Sequence, residues 1–148
     1  MPRVECSIII NGPIEKVYEC AKDVESFPEY MPDVKNIQIL ERDGARVITE
    51  WTASIPDFGM TVKWTEEDIW DDEAKRCDFK LVKGDYASYS GNWTFTEVDG
   101  GVRFDSVVDY EYDVPLIGTL IKGLIQRKVK ENVDKILEAV KKKVEGVE

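Results

Sequence analysis

From Leu116 to Val144 the apolar residues recur every three or four positions: Leu116, Ile117, Leu120, Ile121, Leu124, Ile125, Val129, Val133, Ile136, Leu137, Val140 and Val144. That period, held for nearly thirty residues, predicts one long helix with a single apolar stripe. At 1.5 Å per residue it would be roughly 40 Å long, the width of a small domain. Such a stripe must be covered, and the only surface available is the run of short alternating segments before it. A curved sheet gripping a long helix tends to leave space between them, so a functional site is expected there.

The alternating segments give the rest of the architecture. Arg3–Ile10 reads as a strand, broken by Asn11-Gly12-Pro13, which starts a helix with Pro13 at its first position. Ile14, Val17, Tyr18, Ala21 and Val24 form the buried face of that helix. Ser26-Phe27-Pro28-Glu29 reads as a capping box opening a second short helix, ended by Pro32. Six strands follow: Val34–Leu40, Arg46–Ile55, Met60–Trp70, Arg76–Val82, Tyr89–Glu97 and Val102–Tyr112. Their connections, with Asp43-Gly44 and Asp99-Gly100-Gly101 as turns, are too short for parallel crossovers, so the strands are expected to be antiparallel. The order β-α-α-β-β-β-β-β-β-α describes a single α+β domain over residues 1–148.

Alternation also assigns an inner face. It carries Val47, Thr49, Trp51, Ala53 and Ile55; Val62, Trp64 and Trp70; Cys77, Phe79 and Leu81; Tyr89, Gly91, Trp93 and Phe95; and Val102, Phe104, Ser106, Val108, Tyr110 and Tyr112. So many indole and phenol groups suit a cavity with a few polar handles better than a dry core. The parity that turns Trp64 and Trp70 inward also turns Glu66 and Asp68 inward, at a cost for unpaired carboxylates. The expectation is that a bulge near Glu66-Glu67 flips the parity and buries Ile69, or that the strand leaves the helix's shadow there. The alternative puts Glu66 in the cavity with a raised pKa, as proton donor or ligand anchor.

Several functions are disfavoured by composition. The net charge is −10, with +3 on the segment from Leu116 and −13 on the rest, which disfavours a nucleic-acid partner. The absence of histidine removes the commonest general base and the usual zinc and haem ligand sets, and no cofactor is expected. Cys6, Cys20 and Cys77 are too widely spaced for a C-x-x-C pair and read as free thiols. Lys128, Lys135, Lys141, Lys142 and Lys143 are expected to form a solvated face. No membrane span or signal peptide is apparent, and a cytoplasmic location is expected.

Pro13-x-x-x-Val17-Tyr18 and Asp23-Val24-x-x-Phe27-Pro28-Glu29-Tyr30-Met31-Pro32, with Gly84-Asp85, Gly91-Asn92-Trp93 and the closing helix, carry a resemblance. Together they resemble the START-like polyketide cyclase/dehydrase family, which includes coenzyme Q-binding proteins and ribosome-association toxins. The resemblance implies a helix-grip fold: a seven-stranded antiparallel sheet wrapped around the C-terminal helix, two short helices after the first strand, and a hydrophobic cavity between sheet and helix. Phe27, Tyr30 and Met31 would gate that cavity beside Leu116, Ile117, Leu120 and Ile121.

The expected function is binding of a lipid, isoprenoid, quinone or polycyclic aromatic ligand. The expected lining is Phe27, Tyr30, Met31, Trp51, Trp64, Phe79, Tyr89, Trp93, Phe104 and Tyr110, with Ile117, Leu120, Ile121 and Leu124 as the helix wall. The Val129–Val144 half of the helix would then simply seal the core. An aromatase/cyclase is the second reading, with Tyr89, Tyr110, Glu66 and Ser106 as its candidate groups. It lacks an inward arginine, since Arg46 and Arg103 fall on the outer parity, and no catalytic constellation decides for it. A protein-interaction module of the ribosome-association type is the third.

Overall fold

The computed structural model describes residues 3–31, 34–55, 60–111 and 119–146. Seven strands form one antiparallel sheet in the order β1-β7-β6-β5-β4-β3-β2. They are β1 (Arg3–Ile10), β2 (Val34–Asp43), β3 (Arg46–Ile55), β4 (Met60–Asp71), β5 (Arg76–Gly84), β6 (Ser88–Val98) and β7 (Gly101–Glu111). Helix α1 (Ile14–Lys22) and a 3-10 helix (Val24–Glu29) follow β1, and α2 (Thr119–Glu145) closes the chain. The expected helix-grip architecture is therefore the one observed.

Local chemistry accounts for most element ends. Pro13, extended at φ −71° and ψ 147°, caps α1, and its carbonyl accepts from the Lys16 and Val17 amides. Gly44, at φ +60°, turns the β2–β3 hairpin, a conformation open to glycine at little steric cost. Gly84, at φ +145°, pairs with Trp64 so closely that a Cβ would lie 2.5 Å from the Trp64 Cα. The capping box is not formed. The 3-10 helix starts two residues earlier, at Val24, and the Ser26 hydroxyl donates to the Asp23 carbonyl at 2.8 Å. Pro28 lies inside this short helix, and the proposed stop at Pro32 falls outside the described residues.

The inner-face assignment survives among the described residues, which exclude Tyr112 and the side chain of Ile55, and it has one consequence that the cost of buried carboxylates argued against. Val62, Trp64, Glu66, Asp68 and Trp70 are all buried, while Ile69 is 41% exposed. No parity flip occurs in β4. The register shift lies across the ladder, where Thr65 pairs with Lys83 and Glu66 with Leu81. The extra residue is Val82 of β5, which is 54% exposed. The bulge therefore bends the partner strand and leaves both carboxylates inside.

Helix α2 buries Ile125, Val133, Ile136, Leu137, Ala139, Val140 and Val144, and its backbone comes closest to β1 and α1. Two of the five lysines expected to be solvated hold this end in place. Lys141 Nζ donates to the Ile9 carbonyl at 2.7 Å and pairs with Glu145 at 2.8 Å. Lys143 Nζ donates to the Cys20 and Asp23 carbonyls, the Asp23 carboxylate and the Ser26 hydroxyl. It also lies 5.7 Å from the centroid of the Phe27 ring. The C-terminal half of α2 is thus tied to β1, α1 and the 3-10 helix.

Candidate functional site

On the other flank of α2, sheet and helix separate into a cleft of about 660 Å³, counting space open to solvent. Ala53, Val62, Trp64, Tyr86 and Tyr89 line the sheet side, and Ile125, Val129 and Val133 line the helix side. Ser54, Lys128, Glu131, Asn132 and Lys135 add polar groups to the lining. The cleft therefore has apolar walls with polar groups among them, the composition typical of small-molecule sites.

Trp64 connects the cleft to a polar interior. Its ring stacks on Trp51 at 5.7 Å, with 11° between planes, and its indole N–H donates to Glu66 Oε1 at 2.9 Å. The Trp51 indole N–H donates to Thr49 Oγ1 at 3.0 Å, and Thr49 donates to Asp68 Oδ2 at 2.8 Å. Glu66 and Asp68 hydrogen-bond each other. A smaller space of about 200 Å³ beside them, counting space open to solvent, is lined by both carboxylates, Trp51, Phe79 and Trp93, among others.

Burial pushes the Glu66 carboxyl well above its usual range, and the neighbouring Asp68 charge pushes it further. Burial also raises Asp68, but the hydrogen bonds from Glu66 and Thr49 oppose the shift. Both carboxyls therefore hold a proton to higher pH than exposed ones do. Burial, followed by the Glu66 charge, raises the Tyr89 phenol. Among the described residues its hydroxyl has no hydrogen-bond partner.

The residues singled out from the sequence separate into groups. Trp64 and Tyr89 line the cleft, whereas Trp51, Phe79 and Trp93 line the smaller void. Phe27 is fully buried against Trp51 and Trp93, at 6.3 and 6.4 Å between ring centroids. Met31 is buried and Tyr30 half-buried beside the core. Phe104 lines neither void; its ring packs on Phe95 at 4.5 Å and on Trp93 at 5.4 Å. Tyr110 is buried with its ring 6.0 Å from Tyr86. Leu124 is half-buried next to Ile125. Leu116 and Ile117 lie outside the described residues, as do the side chains of Leu120 and Ile121.

The division of the long helix needs correction. Val129 and Val133, assigned to sealing the core, line the cleft near the middle of α2. Ala53 and Val62 had the correct parity but were passed over for larger aromatic neighbours. Tyr86 was missed because it sits outside the alternating pattern, between β5 and β6. Asp68 was legible only as a parity conflict. Arg46 and Arg103 engage acidic neighbours, Glu41 and Glu67 for the first and Asp105 for the second. Among the described residues no group of His, Cys, Asp and Glu could hold a metal ion, and no helix is long and apolar enough to cross a membrane.

Comparisons with known proteins agree with this geometry. The structure of TTHA0849 from Thermus thermophilus is similar at a TM-score of 0.92, with 34% identity and 98% of each chain covered. The Zhui aromatase/cyclase of Streptomyces sp. R1128 is similar in fold, at a TM-score of 0.75 and 16% identity over 95% of this chain and 94% of that one. The ribosome association toxin RatA of Escherichia coli K12 is 23% identical over 118 residues, covering 79% of this chain and 73% of the toxin. The family model for polyketide cyclase/dehydrase and lipid transport matches residues 10–137, so the chain belongs to that family.

Proposed function

We propose that the protein binds an apolar small molecule, of the lipid, isoprenoid, quinone or polycyclic aromatic class, in the cleft between the sheet and α2. The observation that carries this reading is the pairing of Trp64, Val62 and Ala53 on one wall with Ile125, Val129 and Val133 on the other. A flat or extended ligand between them would gain roughly 25 cal/mol for each Å² of apolar surface removed from water. The Tyr89 hydroxyl, on the lining of the cleft, would supply one polar contact to orient it.

Native mass spectrometry after mild purification tests the reading. An apolar molecule should travel with the protein and be lost from Val129→Trp, whose added indole fills the cleft. Recovery of the same load from folded Val129→Trp would count against the cleft. An empty protein that captures ribosomal proteins would instead favour an interaction role like the one named for RatA.

An aromatase/cyclase role is the second reading, supported by the two neighbouring buried carboxyls of Glu66 and Asp68, both raised by burial. That pair offers both a donor and an acceptor to a ligand able to move past Trp64. If Glu66→Gln turns over bound ligand as fast as the parent protein, the enzyme role for this pair fails.

A further inference from the structure

The lining of the cleft changes character from its inner wall to its rim. Trp64, Val62, Ile125 and Val133 are buried, whereas Lys128, Asn132 and Lys135 are half-buried and Glu131 is exposed. These four polar residues stand on α2 at spacings of three and four, so they form one stripe along the helix. It runs beside the apolar stripe of Ile125, Val129 and Val133, which extends for about 12 Å at 1.5 Å per residue. The rim stripe thus holds two cations and one anion, and Glu131 is engaged by Lys128 at 3.3 Å. Both lysines have further interactions, so a ligand would share them rather than capture a bare charge. The positive excess is local, since the chain before Leu116 carries a net charge of −13.

We infer that, given an apolar molecule in the cleft, the site selects one with a carboxylate head, its body against Trp64 and Val62 and its head at Asn132 between Lys128 and Lys135. The order of burial fixes the orientation. A carboxylate on the inner wall would lose its water among apolar side chains, whereas at the rim it keeps part of its hydration. There it can accept from the Asn132 amide and from either ammonium. An ammonium head would find one carboxylate on that stripe, Glu131, already engaged by Lys128, and two like charges beside it. A hydroxyl head could accept from the same donors but brings no charge to them. The ligand class is thereby narrowed from apolar molecules in general to acids with an apolar body.

Decanoate, decan-1-ol and decylamine share one chain and differ only in the head. Their affinities are measured by isothermal titration calorimetry below the micellar range, at about 0.15 M salt, where charges more than about 8 Å apart are largely screened. Decanoate should bind about tenfold more tightly than the alcohol, and the amine more weakly than the alcohol. Long-range attraction to a chain of net charge −10 would give the reverse order, so it cannot imitate this result. Lys128→Met and Lys135→Met should each weaken decanoate about fivefold, the upper range for a part-exposed ion pair, and change the alcohol less than about twofold. Glu131→Gln removes the competing carboxylate and should tighten decanoate about twofold. Head selectivity is overturned if the alcohol or the amine matches decanoate, if either lysine variant binds decanoate as the parent does, or if Glu131→Gln fails to tighten it. Equal binding of all three probes, weakened by Val129→Trp, would overturn it and leave the apolar reading of the cleft standing. If no probe binds, or Val129→Trp weakens none of them, the cleft reading fails and the selectivity fails with it.

Discussion

Glu66 shows how one side chain couples pH to the stability of the whole domain. Its folded pKa lies above the usual 4.5, so the folded chain keeps a proton that the unfolded chain releases. Stability from this group is therefore full below about pH 4.5 and falls as pH rises through the folded value. The upward shift of Asp68 has the same sign. Glu66→Gln can still accept from Trp64 and donate to Asp68, without an ionisable proton. Its melting temperature should drop less than the parent's between pH 5 and pH 8; equal drops would contradict the upward shift of Glu66. The thiols make a second test. Burial pushes Cys6 up to about 12, and Cys77 is raised by burial and then by the Asp68 and Glu66 charges. With Cys20 only half-buried, a thiol reagent should modify one cysteine rapidly in the native protein and all three in denaturant. Rapid reaction of two or three in the native state would refute that burial.

At the scale of elements, the long helix has two mechanically different parts. The segment around Val140 and Val144 is packed and clamped, whereas the segment around Val129 is part of the cleft. Lys143 is central to the clamp, its side chain only 11% exposed and its three N–H donors set among four oxygens within hydrogen-bond distance. Lys143→Met keeps most of the stem's packing but removes the donor to the Cys20 carbonyl, the Asp23 carboxylate and the Ser26 hydroxyl. The cost should be about 2 kcal/mol in urea unfolding, in line with charge-assisted bonds to partly buried acceptors. A change below a few tenths of a kcal/mol would mean that the clamp is replaced by water. Strand β4 shows a different kind of control. Because the bulge lies in β5, β4 keeps its period of two, and Trp64, Glu66 and Asp68 are presented to the interior side by side.

For the molecule as a whole, a sheet curved around one helix produces interior spaces with different chemistry. The cleft against α2 has apolar walls, and the spaces around Asp68 set its carboxylate among apolar and aromatic side chains, with Glu66 in one and Lys22 and Arg42 in the other. The stacked Trp51–Trp64 pair stands between them, with each indole N–H turned to the polar network. Trp64→Phe keeps a ring in the partition but removes the donor to Glu66. The variant should still carry an apolar load in native mass spectrometry while Glu66 becomes harder to ionise, which steepens the loss of stability between pH 5 and pH 8. A pH profile unchanged from the parent would show that the Trp64 hydrogen bond does not tune the pair. Strand number, antiparallel pairing and the long helix could all be read from local periods and turn residues. The extent of the cleft could not, because it depends on where α2 is clamped, by contacts of Lys143 with residues more than a hundred positions away.

The sequence by itself determined the class of fold, because alternation and a sustained helical period are local properties that few architectures can bury together. It also posed the choice for Glu66 and Asp68: a bulge that flips the parity of β4, a strand that leaves the helix's shadow, or carboxyls in the interior. Only the tertiary structure decided between those outcomes, by placing the extra residue at Val82 and surrounding the carboxylates with Trp64, Thr49 and one another. The physical reason is that buried carboxyls are tolerable only with partners in place, and one of these partners, Thr49, comes from the neighbouring strand β3. The same holds for the long stripe from Leu116 to Val144: its period required a cover, and the three-dimensional packing left part of that cover open as a cleft.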